Sequence, residues 1–93
     1  MKADDPFGTE AMRVIAVRKL YARGGTMKAF AEGIGLTDKQ WSNFERHGKF
    51  SRVAAEALRV HHPNISIDWI WWGCTRGMTD MLLWELREAA AKE

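Results

Sequence analysis

Few side chains in this sequence could carry out chemistry. His61 and His62 are adjacent, so their rings point in different directions and are not placed to share a metal ion. Cys74 is the single cysteine, which excludes an internal disulfide. No Ser, His and Asp set, no glycine-rich phosphate loop and no close pair of carboxylates has a spacing that catalysis uses. These features argue against an enzyme and predict neither a metal nor any other cofactor.

Length and charge point instead to a small binding protein. The 93 residues, 46% of them hydrophobic, suffice for one globular core. No apolar run reaches the roughly 18 residues of a membrane span, and the first residues lack the apolar stretch of a signal peptide, so we expect a cytoplasmic protein. Residues 10–60 carry ten bases and five acids, a net +5, whereas residues 61–93 carry three bases and five acids, a net −2. This asymmetry favours an anionic partner for the first two-thirds of the chain, although mixed solvated surfaces often show it too.

Cap residues and helical spacing predict an all-α fold of five to six short helices. Each predicted helix follows a Thr or Ser that can cap its N-terminus, and Thr37 with Gln40 has the spacing of a capping box. The predicted helices cover residues 10–23, the stretch from Thr26 to a break at 33–35, residues 38–46, the stretch from Ser51 to residue 60, residues 67–72, and the stretch from Thr79 to the end of the chain.

The most informative segment is residues 27–46. Two short helices that cross steeply need a small residue where they touch, a glycine at the turn and large apolar residues to hold the second helix. Ala31, Gly35, Trp41 and Phe44 fill these places in order. The pattern resembles the helix-turn-helix of the Cro and lambda-repressor-like family, also called the XRE family.

Two later features strengthen the resemblance. Glu45 followed by Gly48 is similar to the end of the family's recognition helix. Residues 67–73 are similar to the Asp-Trp-Ile/Leu-x-x-Gly ending of small phage-like bacterial members. On this basis we expect a disordered leader over residues 1–8, a lambda-repressor-like helix-turn-helix domain over residues 9–77, and an extra C-terminal helix over residues 78–93.

The resemblance implies a sequence-specific transcriptional regulator, such as a repressor, that binds double-stranded DNA as a homodimer. It places the helix 38–46 in the major groove, where Asp38, Lys39 and Asn43 read base edges and Gln40 and Ser42 flank them. Thr37 could hold a phosphate at the helix start, and positive charge beyond it would contact the DNA backbone. The expected DNA- or partner-binding residues are Thr37, Asp38, Lys39, Gln40, Ser42, Asn43, Arg46, Lys49 and Arg52.

Three departures from the family pattern keep a second function open. Met27 stands where a glutamine is common, Asp38 is an acid near the expected phosphates, and Leu20 replaces an arginine that usually pairs with the glutamate at Glu45. Glu45 is left with Arg18, Arg23 or no partner. The alternative is an antiactivator, a helix-turn-helix scaffold that binds and inhibits a transcription activator protein through the same face.

The remaining aromatic residues raise the question of further contacts. Trp41 and Phe44 are expected in the motif core. The tryptophans of residues 69–72 are too many for one helix face, so Trp71 and Trp72, with Trp84, are a possible interaction surface. The last helix has two apolar stripes, one of Leu82, Leu86 and Ala89 or Ala90 and one of Met81 and Trp84, so it either closes the core or forms a dimer seam.

Overall fold

The computed structural model describes residues 7–91. This part of the chain is all-α, without a strand, which confirms the predicted fold class. Its six helices are α1 Glu10–Ala22, α2 Met27–Gly33, α3 Asp38–His47, α4 Arg52–His61, α5 Ile67–Trp72 and α6 Asp80–Ala91. None of these helices is both long and apolar enough to pass through a membrane.

Every helix begins after a hydroxyl that accepts a hydrogen bond from a backbone N–H of the first turn. The capping residues are Thr9, Thr26, Thr37, Ser51, Ser66 and Thr79. At Thr37 the capping box is complete, because the Gln40 side chain also accepts from the Thr37 backbone N–H. These local bonds explain why the predicted helix starts lie close to the observed ones.

The turn between α2 and α3 depends on Gly35. Its φ is +89°, a left-handed backbone that glycine adopts without the steric cost of a Cβ. The N–H of Leu36 donates to the Ala31 carbonyl at 2.9 Å, and the N–H of Gly35 donates to the Glu32 carbonyl at 3.1 Å. This is a Schellman motif, and the buried side chains of Leu36 and Ala31 add its usual apolar contact. The chain therefore stops α2 and redirects itself before α3 begins.

The helix α1 lies at the centre of the molecule. It packs against α2, α3, α5 and α6. Its Val14, Ala16 and Val17 side chains are fully buried. Around them lie the largest buried side chains of the other elements, which are Trp41, Leu58, Ile65, Trp69, Ile70 and Leu86.

A buried cation joins α1 to the end of α5. Arg13 donates from Nε to the Ile70 carbonyl at 2.8 Å and from Nη2 to the Trp71 carbonyl at 3.3 Å. Carbonyls of the last helical turn lack intrahelical partners, so the guanidinium supplies donors that the short α5 needs. The charge count over residues 10–60 includes Arg13 and does not distinguish this buried role from that of a surface base.

The predicted leader needs a correction at its inner end. Phe7 packs its ring edge against Trp69 with 5.1 Å between the ring centroids, and its carbonyl accepts from Arg13 Nη1 at 2.6 Å. The guanidinium of Arg87 lies over the Phe7 ring, 5.3 Å from its centroid. Phe7 therefore belongs to the folded domain, because an aromatic ring gains more from burial than from solvent exposure. Residues 1–6 of that prediction lie outside the described residues.

Candidate functional site

The outer side of α3 is uncovered. Its Lys39, Asn43 and Arg46 side chains are exposed, whereas Trp41 on the opposite side is fully buried. Of the nine predicted contact residues, Ser42 is partly buried and the others are exposed, namely Thr37, Asp38, Lys39, Gln40, Asn43, Arg46, Lys49 and Arg52. The structure thus brings the predicted residues together on α3 and the chain that follows it.

Aromatic packing fixes the inner side of α3. The Trp41 ring meets Phe30 of α2 edge to face, with 4.9 Å between centroids, and Phe50 in the same manner at 5.7 Å. Phe44 is only partly buried and packs against Phe50 at 5.1 Å. Of the four motif positions, Ala31 and Trp41 are fully buried, Phe44 borders the core and Gly35 forms the exposed turn. Rings in this arrangement leave α3 little freedom to rotate about its axis.

A partly buried ion pair connects α3 to α1. Arg18 Nε donates to Glu45 Oε2 at 2.5 Å, and Arg18 Nη2 donates to Glu45 Oε1 at 3.1 Å. Trp41 Nε1 donates to the same Oε2 at 2.7 Å. The sequence left Arg18, Arg23 or no partner open for Glu45, and the structure selects Arg18. This pair offsets the negative charge of Glu45, so that acid does not oppose an anion bound to α3.

Two of the predicted contact residues, Thr37 and Gln40, cap the start of α3. Thr37 Oγ1 accepts from the Gln40 backbone N–H at 3.1 Å, and Gln40 Oε1 accepts from the Thr37 N–H at 2.9 Å. Both side chains are exposed, but their first role is to cap the helix. Asp38 occupies the first turn, where its carboxylate is favoured by the positive end of the helix dipole.

The middle of the outer face is free of internal bonds. Within the described part of the chain, neither Lys39 nor Asn43 makes a side-chain hydrogen bond or ion pair. Arg46 Nη2 donates to Ser42 Oγ at 3.2 Å, one helical turn away, which holds the guanidinium along the helix. Lys39 and Asn43 are therefore available to a ligand without first breaking a contact.

Two long-range hydrogen bonds hold the loop after α3, and one of them comes from Glu10, a residue that the sequence analysis did not single out. Glu10 at the start of α1 accepts from the Phe50 backbone N–H through Oε2 at 2.7 Å. Trp71 Nε1 donates to the Phe50 carbonyl at 2.8 Å. These two bonds hold residues 48–51, which carry Lys49, and the loop leads directly to Arg52 in the first turn of α4. The partners are 40 and 21 residues apart in sequence, so no local pattern signals them.

The structure divides the basic residues into internal and surface ones. Arg13 and Arg18 are bonded inside the fold. Over residues 27–52, the exposed bases are Lys28, Lys39, Arg46, Lys49 and Arg52, and the exposed acids are Glu32 and Asp38. The large hydrophobic side chains that are exposed in the described residues all lie outside α2 and α3. The surface is hence polar and net positive.

The predicted tryptophan surface is only partly uncovered. Trp71 is partly buried and is bonded to Phe50, so it serves the fold first. Trp72 and Trp84 remain 78% and 56% exposed. No cluster of residues that could hold a metal ion is present in the described range 7–91.

The two adjacent histidines have different surroundings. His62 stacks on Tyr21 with 3.9 Å between the ring centroids, while His61 is exposed. Burial, reinforced by the charge of His61, lowers the pKa of His62 below its ordinary 6.5. Burial also raises the pKa of the Tyr21 hydroxyl. Packing thus favours the neutral form of the His62 imidazole, which is a structural group of the α1–α4 junction.

Comparison with known proteins gave no match, whether against family models, curated proteins or solved structures. The α3 surface has a chemistry of its own. It offers an amide, an ammonium and a guanidinium on a rigid helix, followed by two further cations on the next segment of chain. Such donors recognise phosphate groups and the edges of nucleic acid bases.

Proposed function

We propose that the protein is a transcriptional regulator that binds double-stranded DNA by placing α3 in the major groove. One observation carries the proposal: Lys39 and Asn43 are exposed and unbonded on a helix whose opposite side is locked by Trp41. The resemblance of the motif to the XRE family supports the same function. Duplex binding needs a rigid, narrow element with donors on its outer side, and α3 meets this description.

The base-reading part of the proposal falls on two side chains. Asn43 can form two hydrogen bonds with an adenine edge, and Lys39 can donate to the acceptors of guanine. They are four residues apart, so both lie on one face of α3 and reach neighbouring base pairs. Asp38 can accept from a cytosine amino group at the helix start.

The remaining cations position the protein on the DNA backbone. Arg46 ends the outer face of α3, Lys49 lies in the loop that Glu10 anchors, and Arg52 begins α4. Contacts of this kind bind any sequence and weaken as salt rises. The pairing of Glu45 with Arg18 supports this role, because it removes an uncompensated acid from the same helix.

Binding of a protein by the same face is the second candidate. Asp38 is exposed at the start of α3, where an approaching phosphate would meet its charge. A protein partner that places a basic group opposite Asp38 would meet attraction at this position instead. In that case the chain would act as an antiactivator that covers the activator's own binding surface.

A duplex titration distinguishes the two candidates. We would measure fluorescence anisotropy of a labelled random-sequence duplex at several salt concentrations. The DNA proposal predicts binding at low salt. The slope of log affinity against log salt concentration gives the number of ions released on binding, and this number should fall by about one for each of Arg46→Ala, Lys49→Ala and Arg52→Ala. Arg76→Ala is the matched control, because it removes one exposed charge from the loop after α5. Absence of binding at low salt would refute the DNA proposal and leave protein binding.

The base-reading residues need a selected sequence. After enrichment of bound duplexes from a random pool, Asn43→Ala and Lys39→Ala should each weaken binding to the enriched site by about 1–3 kcal/mol. Their effect on unselected DNA should be smaller for Asn43→Ala, since that side chain is neutral. Equal losses on both kinds of DNA would contradict a base-reading role for Asn43.

A further inference from the structure

His47 ends α3 and continues its outer side. It follows Asn43 by one helical turn and Lys39 by two, so the three side chains lie along one side of the helix. His47 is exposed, as the other two residues are. It is not among the residues predicted from the sequence to contact a ligand, and the fold gives it no evident task.

The three histidines of the chain have three different surroundings. The His62 ring is stacked between Tyr21 and Phe30, with 3.9 and 6.2 Å between the ring centroids. His61 is exposed at the end of α4, outside the α3 surface. Within residues 7–91, His47 forms no side-chain hydrogen bond, ion pair or ring contact. Its imidazole is therefore available to a ligand of α3.

The place of His47 along α3 determines which part of a duplex it would meet. A rise of 1.5 Å per residue sets it about 12 Å along the helix axis from Lys39 and about 6 Å from Asn43. Recognition helices contact base edges with their N-terminal residues, so the C-terminal end lies nearer to the DNA backbone. The chain after His47 leads to Lys49 and Arg52, which are both exposed cations. A phosphate is thus the nearest DNA group for His47.

We propose that His47 is a further DNA contact of this surface, which donates a hydrogen bond to a backbone phosphate and, when protonated, adds a positive charge to that contact. This inference rests on the proposed function, because its ligand is the same duplex. A charged donor binds a phosphate oxygen more strongly than a neutral one. Histidine is the side chain that usually changes its charge between about pH 5 and 8, so DNA binding should tighten as the pH falls through this range.

The charged groups around α3 leave this role to His47. On α1, Glu10 accepts from the Phe50 N–H and Arg18 is paired with Glu45, so both are engaged within the fold. The charged residues of α2, which also packs against α3, are Lys28 and Glu32, and those next to His47 in the chain are Arg46 and Lys49. None of these groups forms an ion pair with His47 in the described part of the chain.

Duplex titrations at pH 7.5 and pH 5.5 give the first test. We would follow the anisotropy of a labelled random-sequence duplex over a series of salt concentrations at each pH. The native chain should bind about threefold or more tightly at pH 5.5, and should release about one more ion there. His47→Gln keeps a hydrogen-bond donor without the charge, so it should lose both effects. His61→Gln is the matched control and should keep them, because His61 lies outside the α3 surface.

A permanent charge at the same position gives the second test. His47→Lys is positive at both pH values, so at pH 7.5 it should bind as tightly as the native chain binds at pH 5.5. Its affinity should change little between the two. Circular dichroism at each pH confirms that the compared chains are folded, which separates this effect from the stability change that His62 causes.

The outcomes separate this contact from the proposed function. If the native chain binds no duplex at either pH, the proposed function is refuted and this contact with it. If the native chain binds but His47→Gln shows the same gain at pH 5.5, the DNA proposal stands and the His47 contact is wrong. A gain that His61→Gln abolishes also overturns the contact.

Discussion

Arg18 on α1 and Glu45 on α3 face each other across the helix interface and form two hydrogen bonds, at 2.5 and 3.1 Å. The exposed fractions of the two side chains are 22% and 11%. Trp41 also donates to this carboxylate, so the Glu45 side chain connects the ion pair with the buried indole ring. The orientation of the outer face thus depends on a contact made on the inner side.

Replacement of Glu45 should reveal how much this contact stabilises the fold. Glu45→Ala removes both the ion pair and the acceptor for the Trp41 indole, and we expect a loss of roughly 2–3 kcal/mol in the free energy of unfolding. Glu45→Gln keeps an acceptor for Trp41 and should cost less. Urea unfolding followed by circular dichroism measures both. A Glu45→Ala variant with the native urea midpoint would contradict this role.

The turn after α2 can be tested with a pair of glycine substitutions. Gly35→Ala must place a Cβ on a backbone with φ +89°, and we expect it to lower the free energy of unfolding by about 1–2 kcal/mol. Gly33→Ala is the control, because Gly33 ends α2 without a left-handed backbone and has open space around a new Cβ. It should raise stability by roughly 0.5–1 kcal/mol. Changes of the same sign in both variants would argue against the assigned turn.

The helix boundaries were predictable because their causes are local. A hydroxyl that caps at Thr37, with Gln40 three residues later, makes the same bonds in almost any fold. Gly35 likewise predicts a turn, because glycine readily adopts the positive φ that the turn needs. The burial of Trp41 and the exposure of Lys39 then follow from helical spacing once the helix is placed.

The tertiary partners were not predictable, because they lie far apart in the chain. Spacing could not choose between Arg18 and Arg23 for Glu45, since both lie on the predicted helix 10–23. Spacing also gives no sign that Arg13, one of the ten bases of residues 10–60, is buried against the α5 carbonyls. The sequence leaves open whether the last helix closes the core, and the structure answers this by burying Leu86 while Trp84 on the neighbouring stripe stays exposed.

Arg13 provides a test of the junction between α1 and α5. Arg13→Met keeps the length of the side chain but leaves the Ile70 and Trp71 carbonyls without these donors. We expect a loss of roughly 2–4 kcal/mol in the free energy of unfolding, measured by urea titration. Arg13→Lys keeps the charge but has fewer donors in a different geometry. Its free energy of unfolding should lie between those of the native chain and Arg13→Met. A methionine variant as stable as the native chain would contradict the proposed bonds.

The histidine at the α1–α4 junction predicts a dependence on pH. Burial lowers the pKa of His62 below 6.5 in the folded chain, so below that pH the unfolded chain binds a proton more readily than the folded one. The contribution of His62 to stability is therefore fully present above about 6.5 and is lost as the pH falls toward the lower folded pKa. His62→Phe keeps a ring against Tyr21 without a titrating group and should lose less stability in that range. If the native chain and His62→Phe give parallel curves of unfolding free energy against pH, this effect is excluded.

The most direct test of the α3 surface is a map of the residues that DNA perturbs. We would titrate the isotopically labelled protein with a random-sequence duplex at low salt and follow the backbone and side-chain amides by NMR. The proposed function predicts that the changes concentrate in residues 37–52, with the Asn43 side-chain amide among them. A spectrum that DNA leaves unchanged at low salt, or changes confined to α5 and α6, would contradict it.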